Sequence, residues 1–310
     1  MSLASSALDL RLKSVLVATD LSPASVKPLY EALAICRHYE AKLYVAHVVS
    51  SVPYLMAGPG ALELACEGAS RELRQLQRDL LRDGSLEGLD REFIIHNGTV
   101  WEELQALILK KQVDLVVVGT HARRGIEKVL LGSVAEQVFR DASCPVVTVG
   151  PHSYRESRVD LTAQIRTYLF ATDFSEASLL ALPLARSLAH QTKGRLILLH
   201  VVPAAPAPQI PGWYSASEIT AMRENARMTC VRRLEQLVPG DDETPIDTEF
   251  VVQFGIPSEK ILQVALDKGV DLIILGLRHA SLAGTISHLP WATAYEIVCG
   301  AGCPVLTVRQ

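Results

Sequence analysis

Short apolar runs alternate with stretches of helical periodicity along the chain. In the first half VLVATD (15–20), LYVAHVV (43–49), FIIHN (93–97), DLVVVG (114–119) and PVVTV (145–149) are β-branched or apolar runs of strand length, as expected of strands buried on both faces. Between them, 23–39, 60–83, 100–111 and 133–141 carry apolar residues at helical spacing. Leu62, Ala65, Ala69, Leu73, Leu76 and Leu80 form one such stripe. The order βαβαβαβαβ predicts a parallel sheet wrapped by helices on both faces.

The same pattern then repeats. VLVATDLS (15–22) recurs as YLFATDFS (168–175), LYVAHVV as LILLHVV (196–202), and NGTVWEEL (97–104) as FGIPSEKI (254–261). VDLVVVGT (113–120) recurs as VDLIILGL (270–277), and SCPVVTV (143–149) as GCPVLTV (302–308). Identical order means that a whole domain is duplicated. The polar stretch 150–166 opens with Gly-Pro and reads as a linker. The expected fold class is therefore α/β, two tandem doubly wound domains with five-stranded parallel sheets, spanning 1–150 and 165–310. Residues 50–60 and 203–213, rich in Pro, Gly and Ala, read as loops that tolerate insertion.

Open α/β sheets bind ligands beyond the carboxyl ends of their strands, where strand order reverses. With the order 3-2-1-4-5, Ala18, Thr19 and Asp20 face Gly119 and the residues after it. Gly119 is read as allowing a sharp turn, and Gly132 as allowing close approach of a ligand. Ser133 and Glu136 have the spacing of a capping box, which places a helix N-terminus at Ser133. Its free amides and positive dipole end suit phosphate. Asp20 also reads as a turn residue ahead of Ser22-Pro23, an N-cap followed by a good first helical residue.

The loop is neither GxxxxGK[ST] nor GxGxxG. Gly119, Gly132 and Ser133 instead resemble the signature of the universal stress protein family, Gly-x2-Gly-x9-Gly followed by Ser or Thr, with Ala122 where the second Gly stands. The Ala-Thr-Asp strand end and the Cys-Pro-Val last strand, present in both copies, extend the resemblance over nearly the whole chain. It implies an adenine nucleotide alpha hydrolase-like, Rossmann-like fold. It also implies that the loop cradles the phosphates and ribose of ATP, and that Asp20 and the backbone at Val45 hold adenine, with Ala18 and Thr19 nearby. His121, Ala122, Arg123, Arg124 and Val134 belong to the same loop and helix start, with Arg123 the first choice for a cation on phosphate.

The second copy keeps Asp173, but Trp291 and Ala292 fall at the places of Gly132 and Ser133. Thr293 and Glu296 have capping-box spacing one residue later. Pro290 removes an amide, and Trp291 sets a large side chain where phosphate would approach. The expectation is ATP or AMP, with or without Mg, in the first domain only. Gly284 and Thr285 are a weaker candidate for a different pocket.

Composition narrows the classes further. With 49% hydrophobic and 21% charged residues and a net charge of −4, nothing attracts a nucleic acid or an anionic membrane broadly. MSLASSALDL has no basic leader pattern, and the expected location is cytoplasmic. Six cysteines without a CxxC pair give no disulfide or zinc framework, so Cys144, Cys299 and Cys303 read as structural. His47 and His200 occupy matching strand ends and read as satisfied structural histidines. No motif names a catalytic base, so at most slow ATP hydrolysis is expected. The functional expectation is an ATP- or AMP-binding regulatory protein of the stress response with a protein partner of unknown identity. The alternative is a nucleotide-free interaction or chaperone-like protein. Family resemblance further implies pairing of the last strands, 145–149 with 304–308, and a homodimer of tandem chains.

Overall fold

The computed structural model describes residues 11–54, 58, 60–120, 131–151, 165–203, 215–238, 246–277 and 289–309, with side chains described for all of these except 216 and 289–291. The described residues fall into two compact units, 11–151 and 165–309.

The first unit runs β1 (Ser14–Ala18), α1 (Val26–Tyr39), β2 (Lys42–Ser50), α2 (Ala61–Arg82), β3 (Arg91–Gly98), α3 (Val100–Lys111), β4 (Leu115–Gly119), α4 (Ser133–Asp141) and β5 (Val146–Val149). Its strands are ordered β3-β2-β1-β4-β5 and each neighbouring pair is parallel. The second runs β6 (Thr167–Ala171), α5 (Glu176–Leu179), α6 (Leu182–Thr192), β7 (Arg195–Pro203), α7 (Ala216–Glu235), β8 (Thr248–Gly255), α8 (Pro257–Asp267), β9 (Leu272–Leu277), α9 (Leu289–Gly300) and β10 (Val305–Arg309). Its order, β8-β7-β6-β9-β10, is the same topology, again parallel throughout. The doubly wound α/β architecture matches the alternation in the sequence.

Consecutive residues such as Val15, Leu16 and Val17, or Leu196 to Leu199, are fully buried. Uninterrupted apolar runs fit because helices cover both faces of each sheet. Parallel strands joined through helices place every strand's carboxyl end and every helix's amino end on one rim.

The repeated Val-Asp-Leu has a structural reason. Asp114 Oδ2 accepts from the amides of Lys13 (2.8 Å) and Ser14 (2.9 Å). Asp271 Oδ2 accepts from those of Arg166 (2.9 Å) and Thr167 (3.0 Å). Each aspartate thereby fixes the entry of the first strand against the fourth, at the end of the sheet opposite the rim. Helices α1 and α6 end alike, on Glu40 and Lys193 with φ of 53° and 52°, a left-handed geometry usually given to glycine.

Candidate functional site

At the rim of the first unit, β1 ends between β2 and β4, the position where strand order reverses. Ala18 is its last residue, half-buried. The Thr19 amide donates to the Ala46 carbonyl (2.9 Å). Its hydroxyl lies 2.7 Å from Ser25 Oγ and accepts from the Leu21 amide at 3.0 Å. Leu21 takes φ 61°, turning the chain off the strand. Asp20 is exposed, and its Oδ1 accepts from the Ser22 amide (3.1 Å) and hydroxyl (2.7 Å). Asp20 therefore makes the turn that the sequence suggested, with Ser22 as N-cap and Pro23 opening a short 3-10 turn before α1. His47 Nδ1 donates to the Thr19 carbonyl (2.8 Å), since a carbonyl only accepts; this imidazole is a structural tie.

Val45 lies elsewhere than the resemblance implies. It pairs with Val17 and Phe93 inside the sheet and is fully buried. Successive residues of a strand turn their backbone groups to alternate neighbours. Ala46 meets β1, so Val45 and His47 turn to β3, while Val48 turns to the β1 side beyond the last β1 pair at Ala18. Val48 is thus the β2 residue whose backbone borders Asp20. An apolar run shows its own length but not where its neighbour stops, so the sequence concealed this.

On the other side of β1, Gly119 closes β4, paired with Val149, and the Thr120 amide donates to the Val149 carbonyl at 3.0 Å. No positive φ occurs at Gly119, so it makes no sharp turn. A Cβ there would come within 2.8 Å of Pro28 Cγ, and close packing on α1 is what requires glycine. His121, Ala122, Arg123 and Arg124 lie outside the described residues.

Helix α4 begins at Ser133, as expected, but its N-cap is Gly132, with φ −63° and ψ 152°, and no side-chain cap forms. The Ser133–Glu136 capping box is therefore absent. Ser133 has already entered the helix, and the Glu136 amide donates to the Gly132 carbonyl (2.8 Å). The amides of Gly132, Ser133, Val134 and Ala135 precede the first intrahelical donor, as at any helix start. Gly132 and Val134 are half-buried and Ser133 is exposed. With α4 packed on β4 and β5 and running back along them, these amides stand on the same rim as Asp20 and Val48.

The second unit builds the same strand end. Thr172 donates its amide to Leu199 (2.9 Å) and pairs its hydroxyl with Ser178 Oγ (2.8 Å). Asp173 Oδ1 accepts from the Ser175 amide (2.9 Å). Partial burial works to raise the Asp173 carboxyl, but bonds from Ser175 outweigh it and hold the group below its ordinary value. His200 Nδ1 donates to the Thr172 carbonyl (2.8 Å). Burial and then the Arg233 charge push its imidazole down, against the Thr172 bond and Asp173.

Beyond β9 the units part. Helix α9 starts at Leu289, so Trp291 and Ala292 are helical and Thr293 is no N-cap. The Thr293–Glu296 capping box does not form, and Glu296 instead accepts from Ser258 Oγ on α8. Gly284 and Thr285 lie outside the described residues, as do the side chains of Pro290 and Trp291. A capping box does occur at Ser215 and Glu218, opening α7; Ser-x-x-Glu was legible there, just ahead of the helix.

Among the described residues no His, Cys, Asp and Glu group of metal-site size occurs, and no helix is long and apolar enough to cross a membrane. Among the described residues no cysteine takes part in a disulfide.

Topology and rim define a doubly wound α/β protein whose strand order reverses beside β1 in the first unit and beside β6 in the second. The chain belongs to the universal stress protein family, whose model matches residues 11–150 and 164–309. It is 30% identical over 138 residues to a universal stress protein of Methanocaldococcus jannaschii, covering 44% of this chain and 81% of that protein. A universal stress protein of Mycobacterium bovis is 24% identical over 225 residues, 72% of each chain. The crystal structure of a universal stress protein from Archaeoglobus fulgidus superimposes with a TM-score of 0.65 at 18% identity, covering 97% of this chain and 99% of that one.

Proposed function

We propose that the first unit binds an adenine nucleotide, ATP or AMP, with or without Mg, and that the chain is a nucleotide-dependent regulatory protein of the cytoplasmic stress response, assembled as a homodimer. One observation carries this reading. The uncommitted amides at the start of α4 share a rim with Asp20 and with the Val48 backbone, which looks past the end of β1. Helix-start amides suit phosphate oxygens, and a strand backbone with a carboxylate beside it suits the donor and acceptor edge of a purine. Ala18 and Thr19 form the floor between them.

Isothermal titration of the nucleotide-stripped chain with ATP tests the proposal, with saturable binding of one nucleotide per chain expected. Ser133→Pro sharpens it. Proline is tolerated at the first helical position, and Gly132, with ψ 152°, has the extended conformation that a residue before proline needs. The variant keeps the helix and deletes one amide. Loss of one bond to a charged group, about 1.5–3 kcal/mol, should weaken ATP roughly tenfold or more while leaving adenosine unchanged. No ATP binding by the parent chain would leave the nucleotide-free interaction protein as the reading.

A further inference from the structure

The two rims share a backbone but not the residue after the strand-end aspartate. Leu21 stands there in the first unit and Phe174 in the second, with φ of 61° and 62°. The Phe174 ring lies against the His200 imidazole, centroids 4.5 Å apart and planes inclined by 42°. That imidazole is itself anchored on the Thr172 carbonyl. Over the Phe174 ring sits the guanidinium of Arg233, from the last turn of α7, with Cζ 3.9 Å from the centroid. At that separation the two planes are in van der Waals contact, and no further ring fits between them. Guanidinium is planar, weakly hydrated and cationic, and stacks on aromatic faces much as a nucleobase does. Asp173 directly precedes Phe174 in the chain, and its charge and that of Arg233 both bear on the His200 imidazole.

We infer that Arg233 and Phe174 form a built-in plug, in which the chain's own guanidinium takes the place beside Asp173 that an adenine base would take beside Asp20. The inference rests on the proposed nucleotide reading for the position of the base, and it adds the reason why the second unit excludes one. Leu21 has no aromatic face on which such a plug could settle. Exclusion is then set by two side chains on an otherwise matching rim, independent of the residues between β9 and α9.

Adenosine is the suitable probe because it needs no phosphate loop. His47 and His200 report separately, each fastened to a threonine carbonyl in its own unit. In the full-length chain, titration with adenosine is followed through the imidazole NMR resonances of both. The parent should show saturable shifts at His47 and none at His200. In Arg233→Ala, and in Phe174→Leu, which copies the first unit, His200 should also shift, with a dissociation constant within about tenfold of that read at His47. Arg233 is exposed, so its loss leaves the core intact, and unchanged resonances elsewhere confirm the fold. A His200 response in the parent overturns the plug, as does a silent His200 in both folded variants. A silent His47 alongside a responsive His200 in the variants sinks the first-unit reading and upholds the plug.

Discussion

Asp114 and Asp271 are the side chains on which strand entry depends. Each accepts at least two backbone amides through one oxygen, and Asp114 also accepts from Ser14 Oγ at 3.1 Å. Replacing either by Ala strands those amides, and should lower stability in urea by about 2 kcal/mol, in the range for bonds to charged groups. Buried thiols give a second test. Burial pushes Cys36 up to about 12, and Cys144 is raised to about 11 by burial and then by the Asp114 charge. The thiolate is the reactive form, so Cys36 should resist alkylation in the native chain near pH 8 and label only on unfolding, as mass spectrometry of the peptides would show. Acid acts through the second rim. Above the ordinary value of 6.5 for His200, folded and unfolded states are both neutral there. Below it, the unfolded state takes up the proton more readily, and stability falls as pH drops toward the depressed folded value. Asp173, held below 3.8, adds stability above that value which is lost as pH falls through its folded one. His200→Gln should flatten the part of the stability profile just below pH 6.5, and an unchanged slope there would refute the assignment.

Helix starts and strand ends mark the limit of what could be read from residues alone. Alternating apolar runs and helical stripes placed the elements, because burial on both faces of a sheet leaves a strong periodic signal. Capping was less legible. Ser-x-x-Glu opens α7 at Ser215, yet at Ser133 the preceding glycine takes the cap, and two residues that both tolerate the position cannot be ranked by spacing. Gly119 was misread for a related reason: glycine can answer to φ or to crowding, and only the neighbouring helix shows that Pro28 leaves no room for a Cβ. Its counterpart Gly276 is tighter, facing the backbone oxygens of Ala177 and Ser178. Gly119→Ala should cost about 1–3 kcal/mol, as overpacking generally does. Gly276→Ala should cost more, since backbone yields less readily than a proline ring; equal losses in thermal melts would contradict this. At the end of α6, Lys193 holds φ 52°. Lys193→Gly relieves that strain and should raise stability by up to about 1 kcal/mol, the scale of the left-handed penalty.

Across the whole molecule, one topology occurs twice and the difference lies in what meets the rim. The first unit carries Leu21 after its strand-end aspartate and starts α4 at Ser133; the second stacks Arg233 on Phe174 and begins α9 earlier relative to the next Cys-Pro. Both keep the same fastening, from Thr19, Ser25 and His47 or from Thr172, Ser178 and His200. Those bonds fix the backbone at both strand ends, so the side of the first rim proposed to meet the base is preorganised. On the proposed reading, a base would meet a wall already assembled, and little chain entropy would be spent in meeting it. Association through that side should proceed at encounter-limited speed with a modest heat-capacity change, the signature of docking onto a finished surface.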